Sequence, residues 1–386
     1  MNVATVNRAD ILKALGIIKE IIKPDTTENT DPSKYVIIQH GRIHCISNQF
    51  MLVIPSELNF DARCIDVEFA LLYDYLRKLK EKEIMVGVTP NGTLGVKAGD
   101  KSRVEFAIRD DIDFDEEYLE TDEDNWHELP DSFVTAMQYT AWASDKSDNQ
   151  YSHVAVNDGK MYGYNGKDRF ACFDMKQQGI DAFSIKETVF IHSESQTFVQ
   201  KYMAIDPMKG KPKYCIKNGW LHMRTADGVI FSSRTRSDNA FDANYMESVL
   251  EPGNSPVFRI NKSVEEAMDR ANPFSGNNNK VKRVTVHICN TIKTKQETIE
   301  APPDISYFIL TAVREDGSRI YERCDIPKVN ETIRFTVSFK LLESLIKYGE
   351  YFRTYDGKLT VIGSTDNGTP TGNPLFKAIA VLYEED

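Results

Sequence analysis

One local pattern occurs three times along the chain. "VEFALLYDYLRKL", from Val67, reads as a short strand running into an amphipathic helix. "TVFIHSESQTFVQKYM", from Thr188, and "VSFKLLESLIKY", from Val337, repeat it. Each copy follows another helix-bearing stretch: "NRADILKALGIIKEII" from Asn7, "LPDSFVTAMQYTAWAS" from Leu129 and "PVFRINKSVEEAMDRANPF" from Pro256. A repeated sequence repeats its packing, so this periodicity limits the fold more than any single motif. The 386 residues divide into segments 1–122, 123–252 and 253–386, each made of two halves that run strand, helix, then strands. The acidic stretch Arg109 to Glu128 and the Pro/Gly-punctuated Glu251 to Pro256 read as the connections.

The predicted helices carry apolar residues at helical spacing. Ile11, Leu15, Ile18 and Ile22 share one face, as do Leu72, Leu76 and Leu79, then Phe198 and Tyr202, then Val264, Met268 and Ala271, then Leu341 and Leu345. Six helices are expected, two per segment. The remainder is strand-rich, with turn signals at Asn91-Gly92, Asp158-Gly159, Asn218-Gly219, Asp227-Gly228 and Asp316-Gly317. Strands joined by tight turns are antiparallel, which excludes a doubly wound parallel sheet. The expected class is α+β, with antiparallel sheets on one side of each segment and two helices on the other.

Several chemistries are excluded. The composition, 41% apolar and 27% charged, is that of a globular chain. No apolar run is long enough to span a bilayer, and "MNVATVNRADILKAL" lacks the order of a secretory signal; a cytosolic location is expected. Cys45, Cys64, Cys172, Cys215, Cys289 and Cys324 stand singly without CxxC spacing, and read as reduced, buried thiols. There is no phosphate-binding loop, dinucleotide fingerprint or nucleophile elbow. His40 and His44 flank a turn rather than sharing a helix face, and the loop from Asp145 lacks the glycine and glutamate of a calcium site. No catalytic group, metal or cofactor is expected.

The net charge of -11 argues against a simple nucleic-acid binder. Its distribution matters more than its total. Lys13, Arg77, Lys78, Lys201, Lys262, Arg270, Lys340 and Lys347 all fall away from the apolar helix faces. Asp74, Glu81, Glu266 and Glu343 do so too, so an ordinary solvated surface and a shared basic surface both stay open. On the helix near Asp131, Tyr139 and Trp142 are expected on the outer face.

"NGKDRFACFDM", "GVIFSSRTRSDNAFDANYMESVL" and "SRVEFAIRDDIDFDE", in that triplicated setting, resemble the bacterial β-type DNA sliding clamps, in a phage-encoded form. The resemblance covers essentially the full length. It implies a non-enzymatic processivity factor, a head-to-tail homodimeric ring that encircles double-stranded DNA without reading its sequence. A DNA polymerase and a clamp-loader ATPase would be its partners. The eight helix cations named above would face DNA. Phe106 and Ile108 would meet a second copy near Phe274, unless they are core residues of an internal strand. Arg169, Phe170, Tyr245, Met246, Val249, Val381, Leu382 and Tyr383 would form a partner-peptide pocket, with plain core packing the alternative for Phe170 and Val381. Two departures stand out: Asp168 where the family has histidine, and the acidic ending Glu384, Glu385, Asp386. A non-ring accessory hub of the same fold is the competing reading.

Overall fold

The turns set the sheets. In the computed structural model, which describes residues 3–23, 26–28, 31–59, 65–109, 125–148, 150–176, 187–203, 210–236, 241–251, 255–275, 283–294, 296–313, 317–363 and 376–383, four hairpins close on two residues with positive φ. These are His40-Gly41, Asp158-Gly159, Asn218-Gly219 and Asp356-Gly357. That geometry matches the twist of the paired strands. Asn91-Gly92 and Asp227-Gly228 differ from the expected turn, because only the glycine is left-handed. The Thr89 and Thr225 amides donate to the carbonyls of Thr93 and Val229, and the same threonine hydroxyls accept from the Thr93 and Val229 amides. A threonine that caps its own loop thus lengthens both turns in the same way. Asp316 lies outside the described residues.

Seven helices occur among the described residues: α1 (Arg8–Ile21), α2 (Phe69–Lys78), α3 (Phe133–Ala141), α4 (Ser195–Tyr202), α5 (Ala243–Val249), α6 (Lys262–Ser275) and α7 (Phe339–Tyr348). Six answer to the sequence pattern; α5 was not foreseen. No helix among the described residues is long and apolar enough to cross a membrane.

The chain forms two compact units. The first comprises Met1–Val134 and Glu194–Ser237, the second Thr135–Ser193 and Asp238–Asp386. Each is built on one eight-stranded antiparallel sheet. In the first unit the order is 65–68, 35–39, 42–46, 50–55, 230–234, 220–224, 213–217 and 127–128. In the second it is 189–192, 153–157, 160–164, 169–174, 376–381, 358–362, 351–355 and 258–259. The two sheets correspond strand for strand. Segment 123–252 contributes strands to both, so the units cut across the three sequence repeats.

Each unit also holds a four-stranded sheet. The first has 3–7, 83–88, 94–98 and 102–106; the second has 319–327, 305–313, 283–289 and 333–338. A small hairpin, Thr291–Lys293 with Thr298–Glu300, interrupts the second.

Helices cover the inner sheet faces. In the first unit Phe198 of α4 stacks on Phe231, with ring centroids 4.5 Å apart, and Phe231 packs on Phe50. Ile11, Leu15, Ile18, Ile22, Leu72 and Leu76 are buried as their spacing requires. Arg8 donates to the Leu76 and Glu81 carbonyls at the end of α2, which ties α2 to α1. In the second unit Val264, Met268, Ala271, Leu341 and Leu345 are buried. Tyr139 and Trp142 do not occupy an outer face. Tyr139 packs against Phe173, Tyr348 and Phe376, and Trp142 stacks on Tyr348. An aromatic row joins α3 to α7 here, which the wheel of α3 alone did not show. Cys45, Cys172, Cys215, Cys289 and Cys324 are buried and form no disulfide among the described residues; Cys64 lies outside the described residues.

Candidate functional site

The helix cations sit where the amphipathic pattern puts them. Lys13, Arg77, Lys78, Lys201, Lys262, Arg270, Lys340 and Lys347 are all exposed. In the first unit α1, α2 and α4 lie side by side. Lys19 sits over the Tyr73 ring, and Glu20 of α1 accepts hydrogen bonds from Lys201 and Tyr202 of α4. The hydrogen bond from Lys201 is the chief reason the Glu20 carboxyl falls below its ordinary range. In the second unit α6 and α7 meet where Asn272 donates to Glu343.

Half of the cations are engaged. Arg77 pairs with Asp74, Lys201 with Glu20, Lys262 with Glu266, and Arg270 grips Glu322 with two nitrogens at 2.8 and 3.1 Å. Lys13, Lys78, Lys340 and Lys347 have no ion pair among the described residues.

Phe106 ends an edge strand, Ser102–Phe106, and is buried edge-on against Tyr75. Ile108, two residues on, is half-exposed. Phe274 falls in the last turn of α6, and its side chain lies outside the described residues. Strand Arg319–Pro327 is likewise an edge, and carries exposed Tyr321.

An aromatic cleft opens on the outer face of the second unit's eight-stranded sheet. α5 makes one wall. Asp242 caps it, accepting from the amides of Asn244 and Tyr245 at 2.9 and 3.1 Å. Glu247 then fastens the helix to the sheet, accepting from Lys160 Nζ at 2.8 Å and Tyr162 Oη at 2.9 Å. Burial opposes ionisation of Glu247, but the hydrogen bonds from Lys160 and Tyr162 outweigh it and hold its carboxyl below the ordinary value. Phe170 stacks on Tyr164 with centroids 4.2 Å apart, beside Tyr162, Phe190, Met246 and Leu250. Gln150, Tyr151, His153 and Tyr245 rim the opening. Its volume, roughly 230 Å³, falls below the ~300–1,000 Å³ that encloses a drug-sized ligand. It has room for no more than a few side chains.

The structure gathers part of the expected pocket. Phe170, Tyr245, Met246 and Val249 come together at the cleft. Arg169 turns away, donating to the Trp142 carbonyl and pairing with Asp168. Asp168 also accepts from Asn165, so its charge is used within its own loop. Val381 is exposed and bonds the Asp168 carbonyl through its amide. The Leu382 amide donates to Gly357 and the Tyr383 amide to Thr336, with Arg283 over the Tyr383 ring. Val381, Leu382 and Tyr383 are not part of the cleft lining. Glu384, Glu385 and Asp386 lie outside the described residues. Tyr151, His153, Tyr164, Phe190 and Phe241 were not foreseen; the one available signal, Asp242 as a helix cap ahead of Tyr245, Met246 and Val249, could have marked α5 but not the sheet residues facing it.

No family model matches the chain, and no curated protein matches it by sequence. Solved structures do. The DNA polymerase III subunit beta of Pseudomonas aeruginosa aligns over 100% of both chains with a TM-score of 0.75 and 15% identity. The DNA polymerase sliding clamp of Bacillus subtilis covers 99% of both, with a TM-score of 0.73 and 14% identity. The DNA polymerase III beta chain of Streptococcus pneumoniae covers 100% of both at 0.75 and 14%. Full-length superposition at such low identity speaks for architecture: from end to end, this chain has the fold of the bacterial β-type DNA sliding clamps.

Proposed function

We propose that the chain is a phage-encoded DNA polymerase processivity factor that works in the bacterial cytosol. Its three repeats, 1–122, 123–252 and 253–386, are doubled in a head-to-tail homodimeric ring around duplex DNA. The cleft beside α5 tethers a DNA polymerase, and a separate loader ATPase opens the ring. The chain performs no catalysis in this reading.

One observation carries the ring. After the first helix of a repeat the third strand of the regular pattern pairs with the third strand after the second helix of the next repeat. Phe50–Pro55 pairs in this way with Ile230–Arg234, and Arg169–Asp174 with Phe376–Val381. The same rule leaves Arg319–Pro327 and Ser102–Phe106 without mates, both as sheet edges. Unpaired edges seek partners. If a second copy supplies them, the contact joins unlike surfaces and closes after two.

The exposed lysines of the helices support a sequence-independent hold on phosphates. The acidic remainder of the molecule is compatible with it, because a ring retains DNA by topology. Sizing should give twice 44.0 kDa, and loaded protein should stay on circular DNA and leave when the circle is cut. Equal loss from both DNAs would end the topological reading, and a single-copy mass would favour the accessory hub.

A further inference from the structure

Because the two eight-stranded sheets correspond strand for strand, positions on their outer faces can be matched by register. Tyr162, Tyr164 and Phe170, at the cleft, correspond to His44, Ile46 and Met51 of the first sheet. The second sheet is open there. On the first, Ile46 and the indole of Trp126 both pack against the cluster of Met51, Val53, Trp220 and Ile230. The Arg224 guanidinium lies over the indole face, 4.2 Å from its centroid. Among the described residues the buried indole Nε1 has no hydrogen-bond partner, so apolar contact and the stacked cation hold the ring. His44, opposite Val53 of that cluster, keeps a buried Nδ1 without a partner among the described residues, whereas Tyr162 at the matching position bonds Glu247 of α5. The third repeat is closed as well: the inserted hairpin lays Ile292 and Ile299 over Cys289, Tyr307 and Ile309.

We propose that Trp126 is a tethered occupant of a second docking surface. That surface accepts an aromatic-anchored peptide segment, and the chain keeps it shut with its own indole. The tether is short. Trp126 immediately precedes His127 and Glu128, which pair with Tyr214 and Lys213 of the same sheet. A short tether gives an effective concentration of about millimolar, so a free segment at micromolar concentration is outcompeted roughly a thousandfold. The proposal goes beyond the polymerase-docking reading of the other sheet and does not depend on it.

The test is a calorimetric titration with a synthetic peptide of the sequence Asp124 to Leu129, DNWHEL, against the full-length wild type, Trp126→Ala and Trp126→Leu. Each variant is first checked for cooperative unfolding. Trp126→Ala should bind one more equivalent per chain than wild type. Trp126→Leu, which keeps the slot partly filled and is the safer fold, should also gain one, at least tenfold more weakly. Wild type that binds nothing while either variant binds one equivalent supports the plug and counts against an aromatic anchor in the open cleft. A folded variant with the stoichiometry of wild type overturns the plug and leaves the cleft reading intact.

Discussion

At the scale of single residues, the helix cations separate into two kinds. Arg270 and Lys201 are committed to Glu322 and Glu20, whereas Lys340 and Lys347 are not paired among the described residues. Lys340→Ala and Lys347→Ala should each lower the slope of log affinity for duplex DNA against log salt by about one. Lys201→Ala should change that slope less. Fluorescence titration over a salt series would show the difference. Two histidines make a second prediction. Burial holds His44 and His222 neutral, with pKa values near 4 against an ordinary 6.5. Their folded-state values are depressed, so the unfolded chain takes up protons first as pH falls. The stability they confer is complete above pH ~6.5 and is lost progressively down to ~4, by roughly 3 kcal/mol per histidine. Urea melts across that range should show the fall, and His222→Asn should flatten it. His44 was visible in the sequence only as a rejected metal ligand, and nothing in the sequence singled out His222. Their burial depends on strand pairing that residue spacing does not reveal.

At the scale of elements, what was legible followed from periodicity. Helices α1, α2, α4, α6 and α7 could be read because each buries a face at helical spacing, and a buried face is what stabilises a helix in a protein. The antiparallel sheets were legible through their Gly-bearing turns. α5 was not, because seven residues are too few to be helical without tertiary support. That support comes from Glu247, whose partners Lys160 and Tyr162 are far away in sequence. Half of the candidate cleft was hidden for the same reason. Glu247→Ala leaves Lys160 and Tyr162 without that acceptor, and should cost about 1–3 kcal/mol while loosening α5. Hydrogen exchange at the amides of Tyr245 to Val249 should accelerate, with the strands beneath unaffected. Equal protection in both proteins would assign α5 its stability from elsewhere. The outward placing of Tyr139 and Trp142 failed for a related reason: a wheel reports the faces of one helix and not the ring of Tyr348 waiting on another.

At the scale of the whole molecule, repeat arithmetic ran ahead of residue-level matching. The triplication could be read directly, and it fixed which strands stand third in each half. Which unit each half joins could not be read, because the eight-stranded sheets form between repeats. The proposed dimer turns on the edge at Ser102–Phe106. Phe106 is already buried against Tyr75, so half-exposed Ile108 is the better probe. Ile108→Asp should weaken self-association about tenfold or more and abolish retention on circular DNA, with the thermal unfolding of each protomer little changed. Analytical ultracentrifugation would follow the first effect. A variant that sediments as wild type would place the contact elsewhere.

The interleaving of carboxylates among the helix cations has a consequence for motion. Arg77, Lys201, Lys262 and Arg270 each already hold an acid, so a polyanion passing over these helices would exchange one shallow hold for the next. On either unit that would keep friction low, because no single grip is deep, and a tether of the proposed kind would gain more from easy slippage than from a firm bite.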